Sequence, residues 1–131
     1  MEAQAIKKYI RSSPRKMRLV IDLIRGKKAE EALNILRLSP QKAAKDAEML
    51  LRSAISNLNN KAFDADERIN DGDVYVKEAQ VNQGPTLKRI QAAPMGRAYR
   101  IRKRSNHVTV VIDSKVPVEI ADDTNEEQTE E

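Results

Sequence analysis

Apolar residues recur every three or four positions in three stretches of the first sixty residues, a spacing that places them on one face of an α-helix. The first predicted helix begins at Ser13-Pro14, with Ser as the N-cap and Pro in the first turn, and is capped by Gly26 at its end. The second runs from about Lys28 to Leu38. The third and longest runs from about Pro40 to Asn59, where Ser39-Pro40 repeats the same start signal.

Alternating apolar and polar residues predict strands in three other stretches. Residues 2–11 alternate weakly and fit an edge strand. Residues 74–81 alternate more clearly, but the period slips after Val76, which predicts a β-bulge. Residues 108–112 mark the last strand. The predicted connecting loops include Asn59-Asn60 and Asp64–Gly72.

Some two dozen residues separate the last two strands, far more than an ordinary hairpin loop of about two to five residues needs. We therefore expect both strands to continue beyond the core as a two-stranded ribbon, about residues 82–106, that turns near Pro94 or Gly96. With about a dozen residues in each arm at about 3.3 Å per residue, the ribbon could reach on the order of 40 Å.

The net charge of +4 conceals blocks of opposite sign. Residues 1–28 hold nine basic and two acidic residues, a net charge of +7, and residues 29–78 hold seven basic and ten acidic residues, a net charge of −3. Residues 79–112 hold seven basic residues and no acidic ones, whereas residues 113–131 hold one basic and eight acidic residues. This charge pattern predicts a binding surface assembled from two distant basic blocks. The polar composition of the acidic tail predicts that the tail is disordered.

The basic residues of the ribbon have no acidic side chain near them in sequence. Ionised groups avoid a low-dielectric core unless they are paired, so a polyanion, most simply nucleic acid, is the counter-charge that this segment fits. Five of the seven bases are Arg, which favours bidentate contacts with phosphates. The predicted RNA-binding residues are Lys88, Arg89, Arg97, Arg100, Arg102, Lys103 and Arg104 of the ribbon, with Arg11, Arg15, Lys16, Arg18 and Arg25 of the N-terminal block.

Composition argues against several other functions. The 131 residues include no Cys, which excludes a disulfide, a thiol nucleophile and a Cys-based zinc site. The single histidine, His107, has no second His or Cys to complete a transition-metal site, and the tail carboxylates lack a rigid frame for acid–base catalysis. We therefore expect no enzyme activity, no metal and no cofactor. No apolar segment is long enough to span a membrane and no signal peptide is visible, so we expect a cytoplasmic protein without a membrane or small-molecule partner.

Aromatic residues are scarce, with three Tyr, one Phe and no Trp. The chain therefore cannot build the stacking platforms of RRM or OB-fold modules, and recognition is expected to depend on phosphates and RNA shape. A DNA-binding helix-turn-helix protein that uses residues 14–60 is the alternative. Its weakness is the third predicted helix, whose three basic residues are nearly balanced by Asp46 and Glu48.

Three segments, in this order and spacing, resemble ribosomal protein L twenty-two of the bacterial large subunit: VKEAQVNQGPTLKR at residues 76–89, GRA at 96–98 and IRKRSNHVTVV at 101–111. The Ser-Pro-Arg-Lys opening of the first helix and residues 57–60 are also similar, and the resemblance covers about residues 3–112. At the ribbon tip the family often has Pro-Arg-Ala-x-Gly-Arg, whereas residues 92–97 read AAPMGR, so that Ala93 replaces an arginine.

This resemblance implies an α+β fold in which three helices pack on a small three-stranded antiparallel sheet and a long basic β-hairpin protrudes. It implies that residues 1–112 form a single rRNA-binding domain of a structural constituent of the large ribosomal subunit, which supports subunit assembly. The implied partners are large-subunit rRNA, neighbouring ribosomal proteins and the nascent peptide, because the hairpin tip in this family contributes to the wall of the exit tunnel. The residues that the resemblance places at this tip are Ile90, Gln91, Ala92, Ala93, Pro94, Met95 and Gly96.

Overall fold

The computed structural model describes residues 1–114, which form three helices, a three-stranded sheet and a second, two-stranded sheet. In chain order the elements are β1 (Glu2–Ile10), α1 (Pro14–Ile24), α2 (Ala29–Leu38), α3 (Lys42–Asp64), β2 (Tyr75–Gln83), β3 (Leu87–Ala92), β4 (Ala98–Lys103) and β5 (Asn106–Asp113). The predicted α+β class is therefore confirmed. The tail predicted to be disordered lies, from residue 115 onwards, outside the described residues.

The main sheet has the strand order β1-β5-β2, and both strand pairs are antiparallel. The prediction that residues 2–11 form an edge strand is confirmed by β1. The predicted bulge is also confirmed, because the register of β2 against β5 shifts between Val76 and Glu78. A second register shift, in β1 between Lys7 and Ile10, was not expected from the sequence.

The helices cover one face of this sheet and enclose the hydrophobic core. Helix α3 packs against β1 and β5, α1 packs against β2, and α2 packs on α1 and α3. Helix α3 alternates small and large buried residues, which lets it lie close to the strands that it covers. The largest fully buried side chains are Met17, Ile21, Ile24, Leu36, Leu51, Leu58 and Ile112, followed in volume by Val20, Val74, Val76, Val108 and Val110. None of the helices in residues 1–114 combines the length and apolar character that a membrane span requires.

The predicted bounds of α2 are confirmed, but those of α3 need correction. Helix α2 runs over Ala29–Leu38 with Lys28 at its N-cap, whereas α3 runs over Lys42–Asp64 rather than Pro40–Asn59. The start signal at Ser39-Pro40 was misread, because the Ser39 hydroxyl donates to the Ile35 carbonyl at 2.7 Å and thereby caps the end of α2. Asn59-Asn60 are helical, contrary to the predicted loop, because buried Leu58 and Ala62 continue the apolar stripe past them.

The connection between α1 and α2 closes the outer edge of β2. The amide N–H groups of Gly26 and Ala29 donate to the carbonyls of Val76 and Val74 at 3.0 and 2.8 Å, and the Val76 amide donates back to the Lys27 carbonyl at 2.9 Å. An unpaired strand edge invites association with other chains, and these bonds remove part of it. Ser13 occupies the predicted N-cap position of α1, but its side chain makes no capping hydrogen bond.

The sequence predicted that the strands of the main sheet continue unbroken into the ribbon. In the structure they are interrupted before the second sheet. Residues 84–86 interrupt the path from β2 to β3, and residues 104–105 interrupt the path from β4 to β5. Pro85 has no N–H to donate to a ladder, which accounts for the break on the first side. Strands β3 and β4 have six residues each, which corresponds to about 20 Å at about 3.3 Å per residue.

Candidate nucleic-acid interface

Strands β3 and β4 pair antiparallel into a ribbon that spans residues 87–103 and carries basic side chains on both faces. Opposite residues share a face, so Lys88 and Arg102 lie side by side on one face, and Arg100 lies opposite Ile90 on that same face. The other face carries Arg89 and Lys103. Like charges placed directly opposite each other destabilise a strand pair. A bound polyanion would neutralise these charges and thereby stabilise the ribbon.

The ribbon turns where the sequence predicted, at residues 93–97. Pro94–Gly96 form a short 3₁₀ turn, and the Ala93 amide donates to the Arg97 carbonyl at 2.9 Å. Met95 and Gly96 both adopt positive φ angles, of 63° and 70°, and Gly96 takes this conformation without steric cost. Met95 is 94% exposed at the apex. The turn therefore presents a large apolar side chain that has no core to join.

The ribbon is joined to the main sheet by close contacts at its base. The Gly84 amide donates to the Ser105 carbonyl at 2.9 Å, and the Ser105 hydroxyl donates to the Pro85 carbonyl at 2.6 Å. A Cβ on residue 84 would lie 2.6 Å from Ser105 Oγ and 3.3 Å from the Ser105 backbone carbon. Only glycine leaves room for these two chain segments to approach so closely.

A groove of about 900 Å³ lies between the base of the ribbon and the N-terminal block, and we call it the basic groove. Six basic side chains and, among the described residues, no acidic ones line it. The sequence predicted a surface assembled from two basic blocks, and this groove brings members of both together. Its lining is Tyr9, Arg11, Ser12, Ser13, Lys16, Pro85, Leu87, Arg89, Arg102, Lys103, Arg104 and Ser105.

Asn106 holds the N-terminal wall of the basic groove in place. Its side chain is fully buried, and its Nδ2 donates to the Ser12 carbonyl at 2.8 Å and to the Ser12 hydroxyl at 2.7 Å. These bonds join β5 to the segment that leads into α1, ninety-four residues earlier in the chain. A buried amide bonded in this way fixes the position of Arg11 relative to the ribbon.

The basic side chains of the groove form no ion pairs within residues 1–114, whereas many basic side chains elsewhere do. Outside the groove, acidic side chains pair with Lys7, Arg25, Lys27, Arg37, Arg52 and Lys77. In the last of these pairs, the hydrogen bond to Glu2 raises the pKa of Lys77. Within residues 1–114, no ion pair involves any of the six groove bases. Their charge is thus available to a ligand.

Three predicted RNA-binding residues, two on α1 and one directly after it, lie outside the groove lining. Arg25 donates from Nε and Nη2 to the Ala79 carbonyl at 3.2 and 2.8 Å, and Arg18 donates from Nη2 to the Val81 carbonyl at 3.3 Å. Both side chains therefore stabilise the outer edge of β2. The third, Arg15, is exposed near the start of α1. Contact of these three residues with RNA stays a prediction.

Sequence reasoning missed several residues that shape this interface. Gly84, Ser105 and Asn106 carry no charge, and their structural roles depend on contacts between distant parts of the chain. Tyr9 is an uncharged residue of the weakly alternating stretch 2–11, and its sequence context gives no sign of a binding role. The one sequence signal of these contacts was a run of three polar residues before the apolar alternation of the last strand, Ser105-Asn106-His107.

Replacing Gly84 by Ala tests the close contact at the base of the ribbon. We expect a loss of about 1–3 kcal/mol in the free energy of unfolding, because the new methyl group forces the Ser105 segment to move. Urea denaturation measures this loss. The matched control is Gly72→Ala, where a Cβ meets no atom within 4 Å and the expected change is within about 0.5 kcal/mol. Equal effects of the two substitutions would contradict the assignment.

Comparison of the whole sequence with known protein families identifies the family of this chain. Residues 5–113 match the sequence profile of ribosomal protein L22p/L17e. The chain belongs to the ribosomal protein L22p/L17e family. This family consists of structural, non-enzymatic proteins of the ribosome, so the expectations of a ribosomal protein without enzyme activity are confirmed. Membership of this family excludes the alternative of a DNA-binding helix-turn-helix protein.

Individual relatives support membership of the L22p/L17e family over most of the chain. Large ribosomal subunit protein uL22 of Chlorobium phaeobacteroides (strain BS1) is 48% identical over 118 residues, which cover 90% of this chain and 99% of the relative. The uL22 protein of Bifidobacterium animalis subsp. lactis is 50% identical over 115 residues, or 88% and 97% of the two chains. That of Chlorobaculum tepidum is 50% identical over 113 residues, or 86% and 93%.

Proposed function

We propose that this protein binds large-subunit rRNA through the basic groove and the ribbon, supports assembly of the subunit, and contributes the ribbon tip to the wall of the nascent-peptide exit tunnel. In this proposal residues 1–112 act as a single rRNA-binding domain, and about residues 82–106 form a hairpin that protrudes from it. Its partners are large-subunit rRNA, neighbouring ribosomal proteins and the nascent peptide.

The observation that carries the rRNA-binding proposal is the convergence of six basic side chains, from two distant segments of the sequence, on a groove that no acidic side chain of residues 1–114 lines. Phosphate groups are the ligands that such a set of Arg and Lys side chains binds best. The relatives are named as large-subunit ribosomal proteins. We therefore take large-subunit rRNA as the polyanion that the groove binds.

The ribbon extends this surface beyond the groove. Nearly all its side chains are exposed, so it contributes little to the core, and its basic residues face both ways. A folded RNA that surrounds the ribbon would neutralise both faces at once, whereas a flat surface would reach only one. Arms held by phosphates would leave the turn at residues 93–97 to face whatever space lies beyond the RNA.

The tip proposal rests on exposed apolar groups at the turn. Ile90 is 78% exposed and Met95 is 94% exposed, although the described core has no place for either side chain. An apolar tip between basic arms suits a passage that a peptide chain traverses, because a peptide offers apolar surface where rRNA phosphates do not. Residues 90–96 are therefore the proposed tunnel-lining residues.

Binding assays with purified protein distinguish rRNA from duplex DNA as the ligand. We expect tighter binding to in vitro transcribed large-subunit rRNA than to duplex DNA of equal length at the same ionic strength, because a folded RNA can surround the ribbon and offer phosphates to both of its basic faces. The ratio of the two dissociation constants is the measurement. Equal affinity for both would reduce the interface to non-specific phosphate attraction.

A photoreactive residue at position 95 tests the tunnel proposal directly. In ribosomes that carry stalled nascent chains, we expect this probe to crosslink to the nascent peptide, because Met95 is the apex of the turn. The control places the same probe at Phe63, which lies at the end of α3 and outside the ribbon. Crosslinks from other tunnel proteins without any from position 95 would refute the tip assignment.

A further inference from the structure

We propose that Tyr9 stacks on an unpaired RNA base while the basic groove holds the phosphates on either side of that base. The ligand class is therefore a single-stranded or bulged RNA nucleotide. This inference rests on the proposed rRNA binding and adds a residue to it that is neither charged nor part of the ribbon.

The backbone at Tyr9 is the first observation. Tyr9 has a φ angle of 57°, a left-handed conformation that bulky side chains rarely adopt because it is energetically costly. It falls within the register shift of β1 between Lys7 and Ile10, so the strand is distorted at this point. A costly conformation of this kind persists only where surrounding contacts impose it, and such positions cluster at functional sites.

His107 supplies the contacts that impose it. The Tyr9 amide donates to His107 Nδ1 at 3.0 Å, which assigns the imidazole proton to Nε2. The two rings also pack edge to face, with centroids 4.9 Å apart and an interplanar angle of 84°. In such a pair His107 covers at most one face of the tyrosine ring. Accordingly, Tyr9 is 66% exposed although its position is fixed.

The surroundings of Tyr9 match the requirements of a stacked base. Tyr9 lines the basic groove with Arg11 and Lys16 from the N-terminal block and with Arg89 and Arg104 from the ribbon. Sites for single-stranded RNA combine an aromatic face for a base with a basic groove for the backbone, and they tolerate any base. A base inside a duplex has both faces covered by its neighbours, which limits the ligand to an unstacked nucleotide.

The strain at Tyr9 gives the proposal an unusual test. In Tyr9→Gly the ring is lost but the backbone suits the observed φ angle, so we expect a melting temperature no lower than that of the unchanged protein. We also expect affinity for in vitro transcribed large-subunit rRNA to fall about tenfold, because base–aromatic stacking is lost. Tyr9→Phe keeps the ring and should bind within about twofold. Phe63→Ala removes an aromatic ring that is exposed elsewhere, and should change nothing.

A fluorescent variant covers the case in which Tyr9→Gly fails to fold. Because the chain has no Trp, Tyr9→Trp introduces a single indole reporter. We expect a single-stranded oligouridine, whose bases are unstacked, to quench its emission, and a duplex RNA of equal length to leave it unchanged. Binding of the oligouridine without quenching, or rRNA binding by Tyr9→Gly equal to that of the unchanged protein, would overturn the proposal.

Failure of this proposal can be distinguished from failure of the proposed function. The double variant Arg89→Gln/Arg102→Gln removes two groove charges and keeps Tyr9. If it loses affinity for the rRNA while Tyr9→Gly does not, the groove binds RNA and the stacking role is wrong. If neither variant loses affinity, the basic groove itself is not the binding surface.

Discussion

A variant with Arg89, Arg102, Lys103 and Arg104 replaced by Gln will bind large-subunit rRNA at least about a hundredfold more weakly at about 0.1 M salt. These four residues come from the ribbon and line the basic groove, where no acidic side chain of the described residues neutralises them. Each phosphate contact releases condensed counterions, so removing four contacts should also lower the slope of log affinity against log salt concentration by about three.

A second variant with the same net charge separates local contacts from general attraction. Arg37, Arg52, Lys61 and Lys77 lie outside the groove and already bond to side-chain or backbone oxygens of the protein. Replacing them by Gln changes the long-range field by the same amount but removes no groove contact. Filter binding across a salt series measures both variants. Equal losses in affinity and slope would mean that charge alone, and not the groove, governs binding.

Removal of the ribbon will abolish most rRNA affinity but leave the body folded. The deletion runs from Arg89 to Ile101, which are opposite each other, and an Asn-Gly turn then joins Lys88 to Arg102 so that this pair keeps its register. The side chains removed are almost all exposed, so the core loses little buried surface. We expect the free energy of unfolding to change by less than about 1 kcal/mol, since the shorter loop also costs less to close.

The deletion variant needs two measurements. Thermal unfolding followed by circular dichroism reports on the body, and filter binding to in vitro transcribed rRNA reports on the interface. Loss of a cooperative transition would show that the ribbon belongs to the folding unit. A cooperative transition with unchanged rRNA affinity would show that the ribbon is not part of the binding surface.

Local patterns in the sequence predicted most of the fold. The alternation in β2 and β5 has one face buried under helices, so their registers, including the bulge after Val76, follow from the apolar positions. The end of α3 did not follow in the same way, because Asn59-Asn60 favour a loop by themselves and burial of Leu58 and Ala62 outweighs that preference. Ser39 fits either helix end, and only the fold decides which carbonyl its hydroxyl reaches.

The candidate site was predictable as a set of charges but not as a shape. Acid-free basic segments pointed to the ribbon and the N-terminal block, yet nothing local indicated that Arg11 and Arg104 line one groove. The bonds that bring them together join residues nearly a hundred positions apart, such as Asn106 with Ser12 and His107 with Tyr9. Contacts between such distant residues produce no repeating pattern in the sequence. The burial of Asn106 and the strained backbone of Tyr9 are therefore visible only in the structure.

A photocrosslinking experiment in assembled ribosomes tests the central claim that the ribbon lies within rRNA. A photoreactive residue replaces Tyr99, which is exposed on an arm of the ribbon and uncharged, so that no phosphate contact is lost. The same residue at Met49, which is exposed on α3 outside the groove, serves as the reference. We expect strong crosslinks to large-subunit rRNA from position 99 and few from position 49. Crosslinks to rRNA from position 49 but none from position 99 would contradict the account.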